Sequence, residues 1–322
     1  MFPPRSVSAG TALLCGLLLL GFFVTGRLDA VEYRPGKTYF GRNQYVEYIA
    51  GDLPIVIAAP HGGREKPEEL PDREKGTFAF DTNTQELARA VAEVLHERTG
   101  HYAHVIICRV HRRKVDCNRE VVEAAAGNER AVQVWTEFQG FIDDARSAVV
   151  ARAGKGFFID LHGHGHKDQR LEIGYLHTRA TLALPDAQID QPKVIAEGSL
   201  RLFASRSKIP YSELLRGPLS FGAMLEREGF PSTPSPLKPV PSDPYFAGGH
   251  NTQCHARYAA NFAGLQIETN FKGVRDTAEN RAKFGEALCN ALGVYLDTHM
   301  SLKLPRVSGN PAKAAQGSAA IR

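Results

Sequence analysis

Four polar motifs in this chain follow short apolar runs, and their residue types suit hydrolytic metal chemistry. They are PHGG with His61 (60–63), RRKVDCNR (112–119), DLHGHGH with Asp160 and His162 (160–166), and ETN opening on Glu268 (268–270). Apolar runs of this length read as buried strands, and open α/β sheets keep their sites beyond the carboxyl ends of strands. Four motifs so placed are expected to converge on one sheet edge. Two histidines on separate strand ends plus a carboxylate form the donor set of a catalytic zinc, with a fourth position left for water.

His61 and His162 are the expected ligands, although a loop histidine bonded to backbone would also explain His61. Asp160, two residues before His162 on the same strand face, is placed to orient that ring. The third ligand is open between Asp81, Glu65 and Glu86; Asp81 stands at a helix start, where capping alone would account for it. Glu268 ends an otherwise apolar strand, so it must be partnered or face a cleft. It reads as a general base, or as half of an ion pair with Arg275 or Arg119. Arg112, Arg113 and Arg119, with Asn118, offer donors for a substrate carboxylate and an oxyanion; the alternative is that Asp116 pairs with one of them and pins a turn. His164 and His166 are expected to line the pocket, and His255, in a segment rich in Gly and His, to donate to substrate from a mobile loop.

The elements that must hold these residues follow from periodicity. Strands are expected at 54–59 (PIVIAA), 104–110 (HVIICRV), 156–161 and 264–268, and a weaker one at 171–176 that pairs near the third. A helix is expected from Thr82, with Thr82 and Gln85 spaced as a capping box and Leu87, Val91, Val94 and Leu95 at helical intervals. A long helix carries Ala131, Trp135, Phe138, Ile142, Ala145 and Val149 as one stripe. Residues 221–228 and about 277–300 also read as helices. The stretch 231–244 holds six prolines, so it is expected to be a surface strap rather than a regular element.

The 322-residue chain carries a net charge of +4. It has no Lys/Arg stripe interleaved with aromatics, so nucleic acid is not an expected partner. Arg5, the apolar stretch 11–24 and Arg27 have the length and flanks of a secretory leader, giving residues 1–30 as a signal peptide. An uncleaved anchor is the alternative, and membrane contact is expected only in that case. Residues 31–302 are read as one metallohydrolase domain, exported to the periplasm or secreted, and 303–322 as a disordered tail. Cys108, Cys117, Cys254 and Cys289 are compatible with two disulfides or with four thiols, and none has zinc-site CxxC spacing.

Taken together, PHGG, the Asp81 helix start, R-x-x-x-D-x-N-R (112–119), I-D-L-H (159–162) and Q-I-E (266–268) resemble the N-formylglutamate amidohydrolase family. That family lies within the zinc carboxypeptidase-like and aspartoacylase-like metallohydrolases, and the motifs span about 55–270 in the expected order. The resemblance implies a three-layer α/β/α fold with a mixed, mostly parallel central sheet. It also implies one zinc per chain on His61, Asp81 and His162, Glu268 as base, and Arg112, Asn118 and Arg119 as substrate clamp. Arg64 stands where the carboxypeptidases place a glutamate ligand three residues after the first histidine, which favours Asp81. The expected activity is hydrolysis of an amide next to a carboxylate, in a small molecule or short peptide. Competing readings are a carboxypeptidase or cell-wall peptide amidase of the same fold, and a non-catalytic metal-binding protein.

Overall fold

The aliphatic runs form strands buried on both faces, as parallel strands sandwiched between helices must be. Ile55–Ala59 (β3), His104–Cys108 (β4), Gly156–Gly163 (β5) and Phe262–Thr269 (β8) are almost wholly buried. The computed structural model describes residues 32–307; the expected leader and the last part of the expected tail, 308–322, lie outside them. Thr38–Phe40 (β1), Val46–Ile49 (β2), Leu171–Gly174 (β6) and Ser232–Thr233 (β7) complete one eight-stranded sheet in the order β1-β2-β4-β3-β5-β8-β6-β7. Strands β4, β3, β5 and β8 run parallel, while β1, β2 and β6 join by antiparallel pairing. This is the expected mixed, mostly parallel α/β sheet flanked by helices.

Period-two alternation divides the core. Ile55, Ile57, Phe157 and Ile159 face one side, where they join Leu87 and Val91 of helix α1 (Thr84–Thr99) and Phe284, Leu288 and Tyr295 of a C-terminal helix, Ala278–Met300. Val56, Ala58 and Phe158 face the other and meet Phe138, Ile142 and Val149 of helix α2 (Glu129–Ala153). After β3 the chain passes to β4 on one side and then returns to β5 on the other. The crevice of such a sheet opens where the strand order reverses, here between the ends of β3 and β5.

Several local expectations change. The capping box at Thr82 and Gln85 does not form: α1 starts at Thr84, Asn83 is left-handed (φ 65°), and Gln85 Nε2 donates instead to Gly62 O at 2.6 Å. A bond to the PHGG loop wins over the local cap. Strand β6 pairs with β8 and so lies one strand from β5, near it as expected. Ser232–Thr233, inside the Pro-rich stretch, pairs with β6 as the sheet's edge, a position where neighbouring prolines cost no ladder bonds. The rest of that stretch is a strap fixed by Lys238 Nζ and Ser242 Oγ on Asp168 Oδ2 (3.1 and 3.0 Å) and by Arg179 Nε on Pro241 O (3.0 Å). Past the last helix, Leu302 and Leu304 pack on the core and Val307 N donates to Arg98 O. Cys108, Cys117, Cys254 and Cys289 are free thiols. No helix among the described residues is long and apolar enough to cross a membrane.

Candidate metal centre

His61 lies two residues past the end of β3, in a loop whose glycines let it press against the neighbouring strand end: a Cβ on Gly63 would collide with Val110 O. His162 lies near the end of β5, and Asp81 is brought to both by its backbone N–H, which donates to His61 O at 2.9 Å. All three side chains are buried. Nδ1 of His61 and Nδ1 of His162 are 3.1 Å apart, and Asp81 Oδ2 is 3.7 and 3.1 Å from them. Three donors of a tetrahedral zinc with bonds of about 2.0–2.1 Å stand roughly 3.3 Å from one another. The triangle therefore fits one such ion.

The outward nitrogens show how the rings are held. His61 Nε2 lies 2.6 Å from Asp116 Oδ1, and His162 Nε2 lies 3.1 Å from Asp160 Oδ1. A proton on each Nε2 leaves the Nδ1 lone pairs free to converge, the support that metal-bound histidines need. Asp116 is a hub, since it also accepts from Arg112 Nε (2.8 Å) and Asn118 N (3.1 Å), with Arg73 Nη2 at 3.6 Å. Asp160 is fixed by Asn251 Nδ2 at 3.3 Å and Thr252 Oγ1 at 3.5 Å.

Electrostatics favour a cation here. Burial works against charge on Asp81 and Asp116, but the histidines, with Arg112 at Asp116, outweigh it and hold both carboxyls well below the usual range. Burial alone would depress His162, yet the Asp160 charge, then bonds to Asp160 and Asp81, raise its proton affinity well above an ordinary histidine. A pocket that binds a proton so firmly also suits a divalent ion, whose binding displaces that proton.

Glu268 stands in register with His162 across β5 and β8, and with Glu172 across β8 and β6, so the three share one face. Its Oε1 accepts from Gln266 Nε2 at 3.0 Å, while its Oε2 is buried without a hydrogen-bond partner. Burial pushes its carboxyl up to about 8, against the opposing pull of His162. That Oε2 oxygen is an unengaged acceptor on the strand next to that of His162.

The other expected residues are distributed unevenly. Arg112 is buried and turns Nε to Asp116. Asn118 lies between His162 and the backbone N of Asn251 (2.8 Å to Oδ1). Arg119 faces away, pairing with Glu123 at 3.2 Å and with Asn118 O. Glu65 pairs with Arg109 and Glu86 with Arg64, so neither joins the triangle that Asp81 completes. Arg275 forms no side-chain ion pair with Glu268: its guanidinium bonds the carbonyls of Thr269, Thr82 and His164.

His164 and His166 also lie close to Glu172, as a second possible donor group. However, His164 Nε2 lies 2.8 Å from Arg170 O and its Nδ1 accepts from His166 N at 3.1 Å, so both ring nitrogens serve the loop. His255 is buried against α2, 2.6 Å from Gln139 Oε1 and 3.6 Å from Asp143 Oδ1, and is not on a free loop. Asp116 pairs with Arg112, as the alternative reading of its motif expects, and in addition supports His61; Arg73 and Glu172 are site neighbours that the sequence reading does not include. Asp116 sits within a recognisable motif, whereas nothing local marks Arg73 or Glu172.

Fold and site together define an α/β protein with a buried His/Asp/His donor triangle at the switch point of its sheet. Among solved structures, the chain is similar to an N-formylglutamate amidohydrolase from Ralstonia eutropha JMP134, at 14% identity and TM-score 0.48, over 79% of this chain and 96% of that one. It is similar to a gene product of Agrobacterium tumefaciens (14%, TM-score 0.47, 81% and 98%). It is also similar to the N-acetylmuramyl-L-alanine amidase Ami1 of Mycobacterium abscessus (14%, TM-score 0.30, 77% and 100%). No protein-family model and no curated protein sequence matches. At these levels of likeness no role passes from those proteins to this chain.

Proposed function

We propose that the chain is an exported zinc-dependent amidohydrolase acting on an amide next to a carboxylate. The observation that carries this reading is Glu268: a buried carboxylate with one unpartnered oxygen, in register beside a triangle of donors sized for one zinc. His61, Asp81 and His162 would hold a zinc ion, which would supply Lewis acidity to a carbonyl and to water. Glu268 takes the proton of the attacking water and returns it to the leaving amine; a bound dication would favour its carboxylate form. Arg112, steadied through Nε by Asp116, offers its remaining guanidinium donors to the substrate carboxylate. Asp160 and Asp116 keep the histidine rings in the ligating tautomer. Export rests on the leader pattern at residues 1–30.

The test is Glu268→Gln, assayed on N-acyl amino acids and dipeptides with zinc content measured in parallel. The expected result is retained zinc with turnover lowered by roughly 10²–10⁴-fold. Near-native turnover in that variant would exclude Glu268 as base.

A further inference from the structure

Just beyond the Pro-rich strap, Phe246 is brought next to Glu172 and left partly uncovered. Phe246 N donates to Glu172 Oε2 at 2.9 Å, and Glu172 Oε1 lies 2.7 Å from His166 Nδ1. The Phe246 and His166 rings stack with centroids 4.7 Å apart and planes at 28°. Neighbouring bonds hold the segment in place: Tyr245 OH donates to Ile173 O and Leu176 N to Ala247 O, both at 2.6 Å. Even so, Phe246 remains 44% exposed. The chain then passes Gly249, where a Cβ would lie 2.5 Å from the amide of Asn118, a residue that itself contacts His162.

Strand order gives the shelf a direction. Arg112 follows β4, the donor triangle lies at the ends of β3 and β5, Glu268 is on β8, and Glu172, which anchors the shelf, is on β6. The arginine and the shelf are therefore on opposite sides of the centre. Of the arginines near these strand ends, Arg73 and Arg275 are occupied by carbonyls and Arg119 by Glu123. Arg112 has its two terminal nitrogens without a hydrogen-bond partner among the described residues. The arginine side thus matches one carboxylate. From β5 to β6 is two strand spacings, about 10 Å, further than a formyl or acetyl group reaches.

We infer that the substrate is an N-acyl amino acid with one carboxylate, held by Arg112, and a large aromatic or branched apolar acyl group that rests on the Phe246–His166 shelf. This rests on the amidohydrolase reading and adds to it which half of the molecule is apolar.

The test uses the zinc-loaded full chain and Phe246→Ala with N-(3-phenylpropionyl)-alanine and N-acetyl-alanine. The wild type is expected to favour the phenylpropionyl substrate in kcat/KM by about tenfold or more, the scale of a lost aromatic contact, and the variant to lose most of that preference. Equal use of both substrates by the wild type, or an unchanged ratio in the variant, overturns the inference. Calorimetry with 3-phenylpropionate and acetate provides a readout independent of turnover. Should neither amide be cleaved, tighter phenylpropionate binding that weakens in the variant would support the shelf and count against the hydrolytic reading. Equal binding of the two acids would overturn the shelf.

Discussion

His61 Nε2 and Asp116 Oδ1 are 2.6 Å apart, and this contact sets which nitrogen of His61 is left to ligate. Asp116 is fully buried and is itself fixed by Arg112 and the Asn118 backbone. Removing the carboxylate in Asp116→Ala frees the ring to rotate and change tautomer. Zinc affinity, measured by chelator competition at neutral pH, is expected to fall roughly 10–100-fold. An unchanged dissociation constant would show that Asp116 does not support the ligand.

The carboxylate that completes the donor set can be identified by stoichiometry. Asp81 Oδ2 lies within 3.7 Å of both Nδ1 atoms, whereas Glu65 and Glu86 are engaged by Arg109 and Arg64. Asp81→Ala is expected to lose the single tightly held zinc, while Glu65→Ala and Glu86→Ala keep one per chain. Loss of zinc from either glutamate variant, with Asp81→Ala retaining it, would reverse the assignment.

Arg275 ties three site loops together through the carbonyls of Thr269, Thr82 and His164, and it is buried. Arg275→Met leaves those acceptors without their donors and removes a cation that faces Asp81 and Glu268. Urea unfolding is expected to show a loss of roughly 2–4 kcal/mol, with Arg275→Lys recovering only part because one nitrogen cannot span carbonyls that three separate guanidinium nitrogens reach. A loss below about 0.5 kcal/mol would place the residue among ordinary surface positions.

Part of this arrangement is legible in the chain itself. PIVIAA and GFFIDL are too apolar to be anything but buried segments, and the histidines at or just beyond their ends leave the sheet at its carboxyl edge. The order of Arg112, Asp116 and Asn118 is equally local. What the chain does not display is direction across loops. Arg119 lies beside Asn118 yet turns to Glu123, and His255 is held by Gln139 of α2 rather than by the site. Arg73 reaches Asp116 because the long segment after His61 folds back over it, and no periodicity marks that path. Strands β1 (TYF) and β2 (VEYI) have strand-like composition, but at three and four residues they are too short for a period to mark them.

Two histidines away from the centre give the stability a pH dependence whose sign can be worked out. His104, bonded to Tyr48 OH at 2.8 Å, and His177, bonded to Tyr211 OH at 2.8 Å, are both buried. Burial lowers each to about 4 from the ordinary 6.5, with Arg257 adding to the effect at His177. Above pH 6.5 both states of the protein hold these rings neutral, and their contribution is complete. As pH falls below 6.5 the unfolded chain binds protons that the folded chain refuses, so stability drops by up to about 1.4 kcal/mol per pH unit per histidine until about pH 4. Urea unfolding at pH 7, 6 and 5 is expected to show the gap between wild type and His104→Gln narrowing with each step, as the wild type loses what the variant never had. A gap that stays constant across that range would mean that His104 titrates alike in both states.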